Sequence, residues 1–343
     1  MDLQILELFS GIGGMHYAFK ESQIPGQILA AMDINTIANE VYIYNNRQTN
    51  VLNNNVQKLD VKILKKLQIN CILMSPPCQP HTRLGHRKDI EDNRSHGLMH
   101  ICSLLPECKF VHYILMENVK GFEESLAHSM YIEALKKGGF YYREFILSPT
   151  QLNIPNTRYR YYCMARRDKN FSFQGERIWY SFPIIKEQKK CINTIMDILE
   201  SNDLVCRDFL VDEKTLDRRV LVMDIVTFNS INTMCFTKAY THYIEGTGSV
   251  FCPLKPEAMH QIFEKLAYLD KDNSSKENKL VQRRELLQSL RLRYFTPREV
   301  ARLMCFPETF DFPLKISNRQ KYRLLGNSVN VKLVSELIKL LYL

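Results

Sequence analysis

Ser75-Pro76-Pro77-Cys78-Gln79-Pro80 places a thiol in a turn with little backbone freedom. Each proline holds φ near about −65° and has no N–H to extend a ladder. The residue before each proline is driven towards extended conformations. Ile69-Asn70-Cys71-Ile72-Leu73-Met74 comes just before and is mostly apolar, so it reads as a short buried strand. A cysteine at the C-terminal end of such a strand stands where open α/β sheets bind ligands. Its chemistry would be that of a thiolate nucleophile; the alternative is an inert, packed cysteine in a proline turn.

Several elements must position that turn. Leu3 to Phe9 alternates as a strand does, Ser10-Gly11-Ile12-Gly13-Gly14 follows, and Met15, Ala18 and Phe19 then take helical spacing. A strand, a glycine loop and a helix N-terminus bring free N–H groups close to a ligand. Ile28 to Met32 reads as a second strand ending in Asp33, 22 residues after Gly11. An acid there is placed for ribose hydroxyls. The loop lacks the full G-x-G-x-x-G of a dinucleotide site, so the three features together point to an adenosyl cofactor. Thr36 to Asn46 is helical, with Ile37, Val41 and Tyr44 on one side, and Asn50 to Asn55 is polar. Residues 80–98 are polar and charged and read as a loop beside Cys78.

Val111 to Met116 forms another strand and ends in Glu117-Asn118-Val119, a polar pair on the same ligand side. Phe140–Leu147 and Tyr159–Ala165 read as a strand pair separated by Ser148–Thr157. Arg158 and Arg160 lie two apart and share a face of an extended chain. Beyond residue 180 the pattern weakens, and 270–279 has the composition of a flexible linker. Between lie Cys235-Phe236-Thr237, Tyr240, Tyr243 and Gly246-Thr247-Gly248-Ser249, which suggest a second, smaller domain. Thr296, Pro297 and Glu299 make a capping box. A helix with Val331, Val334, Leu337, Ile338 and Leu341 on one stripe follows.

The 343 residues are 45% hydrophobic and carry a net charge of +9, which favours a polyanionic partner without requiring one. Ten cysteines are scattered with no C-x-x-C pair, which argues against a zinc site or a disulfide framework and for a reduced, intracellular protein. No signal segment and no apolar run of about 18 residues is present, so no membrane association is expected.

Taken in order, Phe9-Ser10-Gly11-Ile12-Gly13-Gly14, Asp33, Pro76-Pro77-Cys78-Gln79, Glu117-Asn118-Val119, Arg158-Tyr159-Arg160 and Gly326-Asn327-Ser328-Val329 resemble the cytosine-C5 methyltransferases that use S-adenosylmethionine. Cys235-Phe236-Thr237, followed by Tyr-x-x-Tyr-Ile-Glu-Gly-Thr-Gly-Ser, is similar to the DNA-methyltransferase-homologue-2 group, which methylates cytosine 38 in the anticodon loop of tRNA-Asp. The resemblance implies an α/β fold, a Rossmann-like mixed sheet with flanking helices and a smaller target-recognition domain. It divides the chain into a catalytic domain (1–180), a recognition domain (181–285) and a C-terminal segment returning to the catalytic domain (286–343).

It also implies roles. Cys78 would add to cytosine C6, and Arg160 would help to lower its pKa. Glu117 would hold the N4 amine and, if protonated, donate to N3. Arg158 completes the catalytic set, with an ion pair holding its strand as the alternative. Phe9, Ile12, Gly13 and Gly14 would surround the methionine part of S-adenosylmethionine, converted to S-adenosylhomocysteine. Asp33 would take the ribose, Ile34 and Val56 the adenine, Ser75 the sulfonium side, and Asn327 and Ser328 would close the pocket. Arg83, Arg87, Lys88, Cys235 and Thr237 are the candidate nucleic-acid contacts, with Arg166, Arg167, Lys186, Lys189, Lys190, Arg283, Arg284, Arg291 and Arg293 as further cations. No metal is expected. The partner would be tRNA, with DNA as a weak substrate, and the protein would be a monomer of cytoplasm and nucleus. A DNA cytosine-C5 methyltransferase is the rival reading, and a non-catalytic scaffold the third. His81, Asn55 and Asn156 depart from the DNA-enzyme pattern.

Overall fold

A computed structural model describes residues 2–77, 95–173, 175–183, 194–201, 207–271 and 276–343. Cys78, Arg83, Arg87 and Lys88 lie outside the described residues, as do His81, Lys186, Lys189 and Lys190.

The strands are β1 (Leu3–Leu8), β2 (Gly26–Asp33), β3 (Asn50–Asn53), β4 (Cys71–Met74), β5 (Tyr113–Val119), β6 (Tyr141–Leu147), β7 (Arg160–Arg166) and β8 (Ile178–Trp179). They form one sheet in the order β3-β2-β1-β4-β5-β7-β6-β8. β7 runs antiparallel to both neighbours, pairing Glu117 with Tyr162 and Tyr141 with Arg166. The pairs β1–β2, β2–β3, β1–β4, β4–β5 and β6–β8 are parallel. β3, inside the polar stretch, is an edge strand of this central sheet, next to β2.

Helices α1 (Gly14–Ser22), α2 (Thr36–Asn45), α3 (Val61–Lys66), α4 (His96–Leu104) and α5 (Leu126–Gly138) alternate with these strands. Further along come α6 (Glu213–Arg219), α7 (Pro256–Lys271), α8 (Lys276–Ser289), α9 (Pro297–Leu303), α10 (Asn318–Gly326) and α11 (Val331–Tyr342). α8 starts within the stretch expected to be a linker. Its solvent side is tied to α6 by Arg283–Asp217 at 2.9 Å and Arg284–Glu213 at 3.4 Å.

Alternation along the strands gives the sheet two apolar faces. Ile5, Leu73, Leu115 and Met164 pack with Met15 and Ala18 of α1 and with Leu333, Leu337 and Leu341 of α11. Leu6, Leu8, Ile72, Met74 and Ile114 pack with Leu98 and Ile101 of α4 and Tyr131 and Leu135 of α5. The C-terminal helix thus covers the same face as the first one.

A second sheet joins β9 (Ile225–Val226), β10 (Val250–Phe251) and β11 (Arg293–Tyr294) in the order β11-β10-β9. Val211, Leu216, Val250, Leu266, Leu287 and Leu290 make its own apolar cluster. Its third strand comes from residues beyond 285, and the 285/286 division falls within α8. The capping box at Thr296 and Glu299 is present. Glu299 is fully buried and takes both terminal nitrogens of Arg293, at 2.8 and 2.7 Å. No helix among the described residues is long and apolar enough to cross a membrane.

Candidate active site

The C-terminal edge of β1, β2, β4 and β5 opens onto a cavity of about 570 Å³. Its wall includes Phe9, Ile12, Gly14, Asp33, Ile34, Val56, Ser75, Pro76, Pro77, Glu117, Arg158, Arg160, Asn327 and Ser328. The proposed cofactor residues thus come together, with the exception of Gly13. Gly13 turns the chain at φ 87°, and a Cβ there would stand 3.2 Å from the Tyr42 ring. The loop that enters the cavity has two more residues in the left-handed region, Phe9 at φ 53°, where a side chain is strained, and Gly11 at 52°, where glycine is not. At Gly14 a Cβ would lie 2.7 Å from Ser328 Oγ, so only glycine lets the start of α1 meet the Gly-Asn-Ser turn.

Asp33 accepts from the Gly11 amide at 2.9 Å and from the Asn35 amide at 2.8 Å, and its remaining lone pairs face the pocket. Val56 is buried, whereas Ile34 is 68% exposed at the pocket wall. Four buried polar atoms of wall residues have no hydrogen-bond partner: Ser10 Oγ, Ser75 Oγ, Glu7 Oε1 and Arg158 Nε. Orphaned buried polar atoms await a ligand's polar groups. Together with the glycine cradle and Asp33, they fit an adenosyl amino-acid cofactor. Among the described residues, no cluster of His, Cys, Asp and Glu could hold a metal ion.

The wall beyond the glycine loop carries the charges. Glu117, near the end of β5, is buried; burial raises its pKa, and Arg160 and Arg158 partly offset that rise. Arg160 Nε lies 3.5 Å from Glu117 Oε1. Because β7 runs backwards, its N-terminal end brings Arg158 and Arg160 to the edge where β5 ends. Arg160 Nη1 donates to its neighbour's carbonyl on Tyr159 at 2.7 Å, and Nη2 lies 3.7 Å from Cys235 Sγ.

Arg158 has a different set of partners. Nη1 donates to the Phe236 carbonyl at 3.2 Å and lies 3.4 Å from Cys235 Sγ. Nη2 donates to the carbonyls of Gly326 at 3.1 Å and Ser328 at 2.5 Å. The guanidinium therefore bolts the Cys-Phe-Thr stretch to the Gly-Asn-Ser turn. Those two backbones touch: a Cβ on Gly326 would lie 2.3 Å from the Lys238 nitrogen. Asn156 Nδ2 adds bonds of 3.0 Å to Thr233 Oγ1 and the Met234 carbonyl.

Cys235 and Thr237 do not line the cavity, but Lys238 does. Burial pushes the Cys235 thiol up, yet the two guanidinium groups outweigh it and its pKa falls below the usual thiol value. Several cations expected to face a polyanion are engaged inside the protein instead. Arg166 donates to the carbonyls of Lys169, Asn170 and Leu341, and Arg167 to those of Leu105, Cys108, Val111 and Gly138. Arg283 and Arg293 are in ion pairs, whereas Arg284, paired with Glu213 at 3.4 Å, stays 70% exposed. Glu7 escaped the sequence reading because it sits at an inward position of an otherwise regular strand.

The model of the C-5 cytosine-specific DNA methylase family matches residues 3–342. A Spodoptera frugiperda protein named tRNA (cytosine(38)-C(5))-methyltransferase is 46% identical, with all of both chains covered. A human protein of the same name is 39% identical over 99% of each chain. A crystal structure of a Spodoptera frugiperda DNMT2 mutant superposes with a TM-score of 0.87 at 45% identity, covering 99% of each chain. The match spans both the glycine-loop pocket and the reversed strand that carries the arginines, so this chain belongs to the C-5 cytosine-specific methylase family.

Proposed function

We propose that the protein transfers a methyl group from S-adenosylmethionine to C5 of cytosine 38 in the anticodon loop of tRNA-Asp. The observation that carries this is the full-length similarity to tRNA (cytosine(38)-C(5))-methyltransferases, 46% in one case, over a pocket that joins Glu117 and Arg160 to the glycine loop. The division near residue 180, the monomeric state, and residence in cytoplasm and nucleus belong to the same proposal.

When bound, S-adenosylmethionine supplies an electrophilic methyl group on a sulfonium sulfur. Phe9, Ile12 and Gly14 would pack its methionine end, Asp33 its ribose, Ile34 and Val56 its adenine. The Cys78 thiolate adds to cytosine C6, which makes C5 nucleophilic; Pro77, its neighbour, lines the cavity. Glu117, whose pKa burial raises, accepts from the N4 amine and, in its protonated form, donates to N3 as negative charge builds there. Arg160 holds Glu117 in place. Arg158 acts through position, since its two terminal nitrogens serve backbone carbonyls. Methyl transfer is followed by loss of the C5 proton and expulsion of the Cys78 sulfur, which restores the aromatic base. Extruding the base costs less in an RNA loop than in a duplex.

The family model is described for DNA methylases, which keeps duplex DNA as the competing substrate. Labelled S-adenosylmethionine with bulk tRNA and with duplex DNA, followed by bisulfite sequencing, tests the choice. Label in DNA and none in tRNA would reject the tRNA reading. A covalent complex with RNA containing 5-fluorocytosine, lost in Cys78→Ala, tests the nucleophile.

A further inference from the structure

Tyr159 stands between Arg158 and Arg160, which both line the cavity, but it does not line the cavity itself. Side chains alternate along an extended chain, so its ring leaves the strand on the side away from the two guanidinium groups. It is 44% exposed. A half-exposed tyrosine is ordinary on a protein surface. The setting of this one is not.

The backbone is fixed on both sides of the ring. Thr157 donates from its amide to the Thr233 carbonyl at 2.9 Å and from its hydroxyl to Asn232 Oδ1 at 2.6 Å. Arg158 is bolted to two further segments. Arg160 Nη1 takes the Tyr159 carbonyl at 2.7 Å, so the arginine beside Glu117 also holds the peptide that carries the ring. A ring mounted this way loses little freedom when a partner settles on it.

β5 and β7 pair as far as Val119 with Arg160. Just past that pair Lys120 meets Tyr159, with Nζ over the ring and 5.6 Å from its centroid. Lys120 is exposed and has no ion pair among the described residues. One face of the ring thus carries a cation, and the other is left to offer. An aromatic face beside an uncompensated positive charge suits a nucleic-acid strand, because every base has a π-face and every nucleotide a phosphate. A base inside a duplex has both faces covered by its neighbours. A base of an RNA loop can be splayed out and stacked on a side chain.

We propose that Tyr159 stacks an unpaired base of the RNA loop, the one directly before or directly after the cytosine that enters the cavity. This deepens the tRNA reading above and rests on it. The cavity takes one base, and the ring, one residue along the same strand from each arginine, takes its neighbour. Two bases rather than one then set the register of the loop on the enzyme.

The test is steady-state methylation, at one fixed salt concentration, of tRNA-Asp transcripts that are intact or abasic at the position before or after cytosine 38. On intact tRNA, Tyr159→Ala should raise KM roughly tenfold, the weight of one base stacked on an aromatic ring. Alanine keeps the carbonyl that Arg160 holds, so the change should fall on KM and not on kcat. Tyr159→Phe, which keeps the ring, should recover the parental KM. With one of the two abasic transcripts the parental enzyme should lose the same tenfold, and Tyr159→Ala should lose nothing further. An unchanged KM in Tyr159→Ala overturns the proposal. So does an equal rise on the intact and on both abasic transcripts, which would give the ring a merely structural part. If the parental enzyme leaves intact tRNA-Asp unmethylated, the tRNA reading itself fails and the proposal falls with it.

Discussion

Cys235 Sγ lies 3.4 Å from Arg158 Nη1 and 3.7 Å from Nη2 of Arg160, so one sulfur bridges the two guanidinium groups of the active-site wall. Arg160 is thereby held between Cys235 on one side and Glu117, 3.5 Å from its Nε, on the other. The cysteine is a positioning residue in this arrangement. Its low thiol pKa follows from the same two cations.

Cys235→Ala should therefore loosen Arg160 without touching the cofactor walls. A lost hydrogen bond to a charged group is worth about 1.5–3 kcal/mol, so kcat should fall on the order of tenfold to a hundredfold while cofactor affinity stays within about twofold. Cys235→Ser should recover part of the loss. Single-turnover rates on tRNA, together with cofactor titration, separate the two effects; an unchanged kcat would remove Cys235 from the site.

Arg158→Ala strands the carbonyls of Phe236, Gly326 and Ser328 in a buried place. At about 1–3 kcal/mol for each unsatisfied group, the loss should reach about 3 kcal/mol or more. Arg158→Lys should not restore it, because an ammonium cannot fork to carbonyls on two segments as a planar guanidinium does. Urea unfolding measures this, and an intact midpoint in either variant would contradict the bolt.

The raised pKa of Glu117 sets the sign of its pH effect. Donation to N3 needs the protonated form, which is present below the raised pKa and lost as pH climbs through it. The single-turnover rate should accordingly decline on the alkaline side. Glu117→Gln should cost about 10²–10⁴ in rate and abolish that decline. A profile with the same alkaline limb in the variant would assign it to another group.

Glu299 accepts the amides of Thr296 and Glu200 as well as both terminal nitrogens of Arg293. Glu299→Ala removes the buried carboxylate that takes both terminal nitrogens of Arg293, a loss of about 3–5 kcal/mol. Thermal unfolding should show the second sheet, which holds Arg293 in β11, failing at lower temperature than the cofactor-binding sheet. A single transition at the parental temperature would count against this.

Periodicity and glycine placement made the catalytic half of the fold legible. β1, the loop to α1, Asp33 at the end of β2 and the β6–β7 pair all announce themselves over a few residues. Local signals do not reach across the chain, and there the reading weakened. Arg158 owes its role to carbonyls 78, 168 and 170 residues away. β3 is polar because it lies at an edge, where an apolar signature is not required. α8 begins in a charged stretch because ion pairs to α6 hold it, with Leu286 and Leu287 packed near its end. Arg166 and Arg167 look like surface cations in sequence, yet they tie down chain ends and turns.

The cofactor pocket takes two of its walls from opposite ends of the polypeptide. Ser328 fits against Gly14 so closely that a methyl group would separate them. A ribosome making this chain therefore emits the glycine loop first and the residues that close it some 300 positions later. The cavity wall, which includes Val329, is complete only after residue 329 has been made.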